Sequence, residues 1–147
     1  PTVFGSDEVP IGVAICYESV YGEFYADFVR RGAKVMSVIT NDGWWGETNG
    51  HRQHFSYSRL RAIETRRSVA RSANTGISGF IDPRGRVISS IGWDERGVLT
   101  AEVPVESRLT LYTRYGDYIA RLSCYLLLLC ALYYVAYRVR RRNHLVN

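Results

Sequence analysis

Ile11-Gly12-Val13-Ala14-Ile15 opens the stretch IGVAICYESVYGEFYADFVRRGAKVMSVIT, residues 11–40, whose reading decides the fold. The opening run is short, apolar and bounded by polar residues, which suits a buried strand. Val20 to Arg31 has helical spacing, with Phe24, Phe28 and Val29 on one side, and Gly32 is its expected stop. Val35-Met36-Ser37-Val38-Ile39-Thr40 is a second apolar run of strand length. Strand, helix, strand within 30 residues is a βαβ unit, so the expected class is α/β.

Downstream, Asn41 to Gly50 is rich in Gly and Asn and reads as a loop carrying Trp44 and Trp45. A long helix is expected from about His51 to Ser72, with Phe55, Leu60, Ile63, Val69 and Ala70 toward the core and Arg52, Arg59, Arg66 and Arg67 on another side. Ile77 to Ile81 and Val87 to Ile91, joined by Asp82-Pro83-Arg84-Gly85-Arg86, predict a hairpin. Val98 to Val103 predicts one more strand. Upstream, Pro1-Thr2-Val3-Phe4 reads as one edge of an interrupted β-layer, so the chain is expected to be the C-terminal piece of a longer protein.

The 147 residues amount to one ordinary domain, and 46% hydrophobic with 22% charged residues excludes a disordered chain. The formal charge of +5 invites a nucleic-acid partner, but its distribution does not. Residues 1–117 carry 14 basic and 14 acidic side chains, and the whole excess lies in Arg121, Arg138, Arg140, Arg141 and Arg142. A body without net charge excludes electrostatic capture of nucleic acid as its main task.

From Tyr118 to Tyr137, 18 of 20 residues are apolar or aromatic, the exceptions being Arg121 and Ser123. Twenty helical residues span about 30 Å, the thickness of a bilayer's hydrocarbon core. Leu126 to Leu129 is apolar all round, and Tyr118, Tyr133, Tyr134 and Tyr137 cluster toward the ends. One transmembrane helix is therefore expected at 118–137, with a basic tail at 138–147. By the positive-inside rule that tail is cytoplasmic, and residues 1–117 face the outer side of the membrane.

Of three cysteines, Cys124 and Cys130 lie in the apolar segment and read as small hydrophobes. Cys16 is the only thiol in residues 1–117. It follows a buried strand, where α/β sheets place functional groups, and precedes a helix, whose dipole favours a thiolate. By position alone it is either a structural thiol or a nucleophile. His51 and His54 are spaced i, i+3 but lack further ligands in any zinc pattern, so no metal is expected and both read as hydrogen-bonding residues that open the helix.

Ile15-Cys16-Tyr17-Glu18, Asn41-Asp42-Gly43-Trp44-Trp45-Gly46, His51-Arg52-Gln53-His54, Arg61-Ala62-Ile63-Glu64-Thr65 and Ala73-Asn74-Thr75-Gly76-Ile77-Ser78-Gly79 resemble, in one order, the second half of the apolipoprotein N-acyltransferases. These are membrane-embedded members of the nitrilase (carbon–nitrogen hydrolase) superfamily. Tyr112 to Asp117, before the apolar segment, resembles the family too. The resemblance implies the C-terminal half of an α-β-β-α sandwich followed by one transmembrane helix, on the periplasmic side of a bacterial inner membrane.

It also implies acyl transfer from a phospholipid to the α-amino group of a lipoprotein's S-diacylglyceryl cysteine through a thioester, with no cofactor. Cys16 matches the nucleophile, Tyr17 and Glu18 match neighbouring positions important for activity, and Trp44 and Trp45 fall in a loop bordering the lipid cleft. The superfamily's Glu base and oxyanion Lys precede the Cys, whereas the one lysine here, Lys34, follows it. The chain alone is therefore expected to be inactive. Two other readings stay open, a soluble-type amidohydrolase using Cys16 and a non-catalytic membrane-tethered domain.

Overall fold

The computed structural model describes residues 1–5 and 8–144, in two compact units, Pro1–Gly116 and Asp117–Asn147. In the first unit a six-stranded sheet runs in sequence order: β1 (Val3–Phe4), β2 (Ile11–Ile15), β3 (Val35–Thr40), β4 (Ser68–Ala73), β5 (Ser78–Ile81) and β6 (Val87–Ile91). β2, β3 and β4 are parallel, while β1, β5 and β6 join antiparallel at the two sides. The parallel strands are linked by α1 (Gly22–Arg30) and α2 (Asn49–Thr65), and α3 (Leu111–Tyr115) follows a long irregular segment. The expected βαβ unit is present, as are the hairpin and the edge strand at Val3–Phe4.

Both long helices pack on one face of the sheet. Ala14, Met36, Val38, Val69 and Ile81 point toward them and meet Phe28, Val29, Phe55 and Ala62. Strand alternation explains the choice of face, since successive side chains leave opposite sides. Gly12 is there because α1 comes close: a Cβ at that position would lie 2.9 Å from Phe28 Cβ and 2.6 Å from Met36 Sδ. The opposite face is also apolar. Ile15 and Ile39, paired across β2 and β3, are 53% and 49% exposed, with Val13 half-buried beside them.

Several expectations are corrected. The second helix ends at Thr65 rather than near Ser72, because Arg66 turns left-handed at φ 53° and breaks the repeat. Val69 and Ala70 therefore belong to β4, and Leu60 and Ile63 are partly exposed rather than core. Arg67, expected on an outer helix side, is buried and donates to the carbonyl oxygens of Ala33, Thr65, Arg66 and Arg108. No strand forms at 98–103. The chain just beyond it is held by side chains, with Ser68 Oγ donating to Pro104 O and Thr110 Oγ1 to Glu64 O. Phe24 lies on the same side of α1 as Phe28, as expected, and sits partly exposed beside it.

In the second unit, α4 (Tyr118–His144) contains a span, Tyr118–Arg141, long and apolar enough to cross a membrane. The helix runs on through the arginine cluster, past the expected end at Tyr137. Residues 145–147 of the expected tail lie outside the described residues.

Candidate active site

The carboxyl ends of parallel strands converge on one edge of the sheet, and loops there collect polar side chains. Cys16 is the first residue beyond β2 and begins a short 3₁₀ segment, Cys16–Val20. Its φ is 51°, a left-handed conformation that costs an ordinary L residue about 1–2 kcal/mol. Glu18 Oε2 accepts from the Ile15 N–H at 2.8 Å, and Ser19 Oγ donates to the Cys16 carbonyl at 2.8 Å. Cys16 as a whole is half-buried.

Beneath that turn lies a polar cluster. His54, on α2 and 2% exposed, places Nε2 at 3.3 Å from Cys16 O and 3.1 Å from Ser19 Oγ. Its Nδ1 lies 2.8 Å from Asp42 Oδ1, on the loop after β3. Thr40 Oγ1 donates to the same Asp42 oxygen at 2.9 Å, and Arg71 Nη2, from β4, donates to Asp42 Oδ2 at 2.7 Å. Arg71 is held in turn by Ser58 Oγ and Ile77 O. Gly76 makes room for this carboxylate, since a Cβ there would lie 2.3 Å from Asp42 Oδ2.

Burial works to raise the Asp42 pKa, but the His54 hydrogen bond and the Arg71 charge outweigh it and hold the carboxyl below its ordinary value. Arg71 is drawn below the usual guanidinium value by burial, against the opposing pull of Asp42. The pair is a fully buried ion pair in which each charge needs the other.

The residues expected at the site separate into two groups. Cys16, Tyr17, Glu18 and Trp45 come together around the turn. Trp45 packs edge-on against His54 at 5.3 Å between ring centroids, and Tyr17 lies 5.9 Å from His54 and 6.4 Å from Trp45. These rings, with Gly50, Gln53 and Tyr57, line a cavity of about 120 Å³. Trp44 does not join them: it is 85% exposed. Tyr17 keeps half its surface open. Lys34 lies at the start of β3, the opposite end of the sheet from Cys16, with its Nζ donating to Glu8 O.

Asp42, His54, Ser19 and Arg71 were not singled out as site residues by sequence. His54 was read only as a hydrogen-bonding residue near a helix start, which it is. The remaining signal was faint: Asp42 and His54 each sit inside a stretch that carried the family resemblance, but nothing local couples them. Among the described residues no group of three His, Cys, Asp or Glu side chains could hold a metal ion.

Over 113 residues the chain is 48% identical to an apolipoprotein N-acyltransferase of Chlorobaculum tepidum, covering 76% of this chain and 21% of that protein. An apolipoprotein N-acyltransferase of Bradyrhizobium diazoefficiens is 40% identical over 129 residues, covering 88% of the chain and 23% of the relative. The chain thus spans about a fifth of the length of these relatives. Among solved structures, an amidase from Nesterenkonia sp. AN1 superposes with a TM-score of 0.61 at 20% identity, over 84% of this chain and 48% of that one. A nitrilase-superfamily protein of Saccharomyces cerevisiae superposes with a TM-score of 0.54 at 24% identity, over 65% and 38%. Both likenesses concern the fold. The carbon-nitrogen hydrolase family matches residues 1–110, three quarters of the chain and all six strands. With its fold, sequence relatives and family match in agreement, the chain belongs to the carbon-nitrogen hydrolase family.

Proposed function

We propose that the chain is the C-terminal part of an N-acyltransferase that moves a fatty acyl group from a phospholipid to the α-amino group of an S-diacylglyceryl cysteine on apolipoproteins. The observation that carries this reading is Cys16, a half-buried, left-handed residue at the carboxyl end of β2 whose neighbour Tyr17 lines an aromatic cavity. The names of the sequence relatives supply the substrate class.

The Cys16 thiolate attacks the ester carbonyl of the donor. A C–S bond forms, the C–O bond breaks, and the lysophospholipid oxygen leaves with a proton. The acceptor amine then attacks the thioester, forming a C–N bond and releasing the thiol. Two lipid-borne reactants need not meet at once, which is what the covalent intermediate provides. Tyr17, next in sequence to Cys16, faces Trp45 across the cavity, and Trp44 is exposed where a lipid would arrive. Glu18 holds the turn through Ile15 N–H. The general base and oxyanion lysine implied by the resemblance belong to a preceding segment, and the exposed apolar sheet face at Ile15 and Ile39 is where that segment packs. The membrane span holds the catalytic part on the periplasmic side of the inner membrane, and the arginines keep the C-terminus cytoplasmic.

The test is mass spectrometry of the complete protein incubated with phospholipid alone. A fatty acyl group on Cys16, released by hydroxylamine and absent from Cys16→Ala, is expected. Acyl groups on another residue, or transfer that persists in Cys16→Ala, overturn the reading. Hydrolysis with water as the sole acceptor points to an amidohydrolase instead.

A further inference from the structure

The reading of Cys16 as nucleophile leaves open what keeps an ordinary L residue in a left-handed conformation at the reacting position. The Cys16 carbonyl has two side chains on it, Ser19 Oγ at 2.8 Å and His54 Nε2 at 3.3 Å, on the buried side of the turn. The single Ser19 hydrogen goes to that carbonyl, so Ser19 presents a lone pair to Nε2 3.1 Å away. Nε2 therefore faces two acceptors and carries a hydrogen. On the other side of the ring, Nδ1 faces Asp42 Oδ1 at 2.8 Å, and that carboxylate is anchored by Thr40 and Arg71. Arg71 Nη2 lies 3.1 Å from the same Nδ1, and the ring bridges the floor of the site to the Cys16 backbone.

We propose that His54, backed by Asp42 and flanked by Ser19, is a positioning residue that clamps the Cys16 carbonyl and thereby presents the thiol for attack. This rests on the acyl-transfer reading for its reaction but not for its geometry. Because the peptide is planar and trans, drawing the Cys16 oxygen inward turns the Tyr17 N–H to the opposite side. One clamp thus sets the thiol and the following N–H together. A ring serving only as packing between Tyr17 and Trp45 would need neither nitrogen.

The two nitrogens can be separated by substitution. Gln places an amide near Nε2 and keeps the bond to Cys16 O, Asn places one near Nδ1 and keeps only the bond to Asp42, and Phe keeps only the packing. The experiment measures single-turnover acylation of Cys16 in the complete protein at saturating phospholipid. With loss of a buried donor to the clamped carbonyl, His54→Asn and His54→Phe should fall about thirty- to hundredfold while His54→Gln stays within about threefold, with lipid affinity unchanged. Ser19→Ala, which orphans no buried charge, should fall about three- to tenfold. Gln no better than Asn, Phe equal to Gln, or an unchanged Ser19→Ala would overturn the proposal. Alkylation of Cys16 by iodoacetamide, which needs the thiol but no lipid, should follow the same ranking. If the unsubstituted protein takes no acyl group, the functional reading fails, and the alkylation ranking alone then decides the clamp.

Discussion

Removing the Asp42 carboxylate should destabilise the first unit more than any other single side-chain deletion at the site. Asp42 is fully buried and accepts from Thr40 at 2.9 Å, from Arg71 at 2.7 Å, and lies 2.8 Å from His54 Nδ1. Asp42→Ala strands the buried Arg71 guanidinium, which costs about 3–5 kcal/mol for a broken buried pair. Unpaired Thr40 and His54 groups add to this, at about 1 kcal/mol or more each. A total of about 5 kcal/mol is comparable with the whole stability of a small domain, about 5–15 kcal/mol. The Asp42→Ala protein should therefore melt about 15–20 °C lower or not fold at all.

Most of that loss is the orphaned charge rather than the lost bond. The double variant Asp42→Ala with Arg71→Met should consequently be more stable than Asp42→Ala alone, with a coupling of about 3 kcal/mol. Met vacates contacts to Ser58 Oγ and Ile77 O, whose loss is smaller. Thermal melts of the four members of the cycle, followed by circular dichroism, supply the measurement. Additive losses, with the double variant the least stable, would refute the assignment of the cost to a buried unpaired guanidinium.

Three further outcomes are expected. Because the folded pKa of Asp42 lies below its unfolded value, its stabilisation is complete above about pH 5 and is lost as pH falls through about 4 and below; Asp42→Asn should flatten this acid limb in pH-dependent melts, and an unchanged limb counts against it. Trp45→Ala should lower stability by about 3 kcal/mol, whereas Trp44→Ala, at 85% exposure, should change melting by less than about 0.5 kcal/mol; equal effects in the two variants would contradict the packing. Residues 1–116 expressed alone should bind a hydrophobic dye and self-associate through the uncovered face at Ile15 and Ile39; a monodisperse, cooperatively melting fragment would show that this face needs no cover.

Reading along the chain recovers what short-range physics decides. The β2–α1–β3 unit was legible because apolar runs of strand length flank a stretch with helical spacing, and Gly32, at φ 104°, takes the left-handed turn beyond α1. The β5–β6 hairpin was legible because the Asp82 carboxylate accepts from the N–H groups of Arg84 and Arg86 within the turn itself. The apolar helix from Tyr118 follows from composition alone. Cys16, Tyr17 and Glu18 were found because they are consecutive at the end of a recognisable strand.

Only the tertiary structure decided the rest. Ser68–Ala73 has no alternation of its own and follows helical sequence without a Gly or Pro; it is a strand because β3 and β5 offer hydrogen bonds on both sides. Trp44 and Trp45 are neighbours in a loop, yet Gly50 and the His54 ring receive only the second. The clamp joins Ser19, Asp42, His54 and Arg71, which stand on four different segments. Hydrogen bonds between residues this far apart leave no periodic trace in sequence. They exist because parallel strands bring their carboxyl ends to one edge, where buried polar groups must find each other in the absence of water.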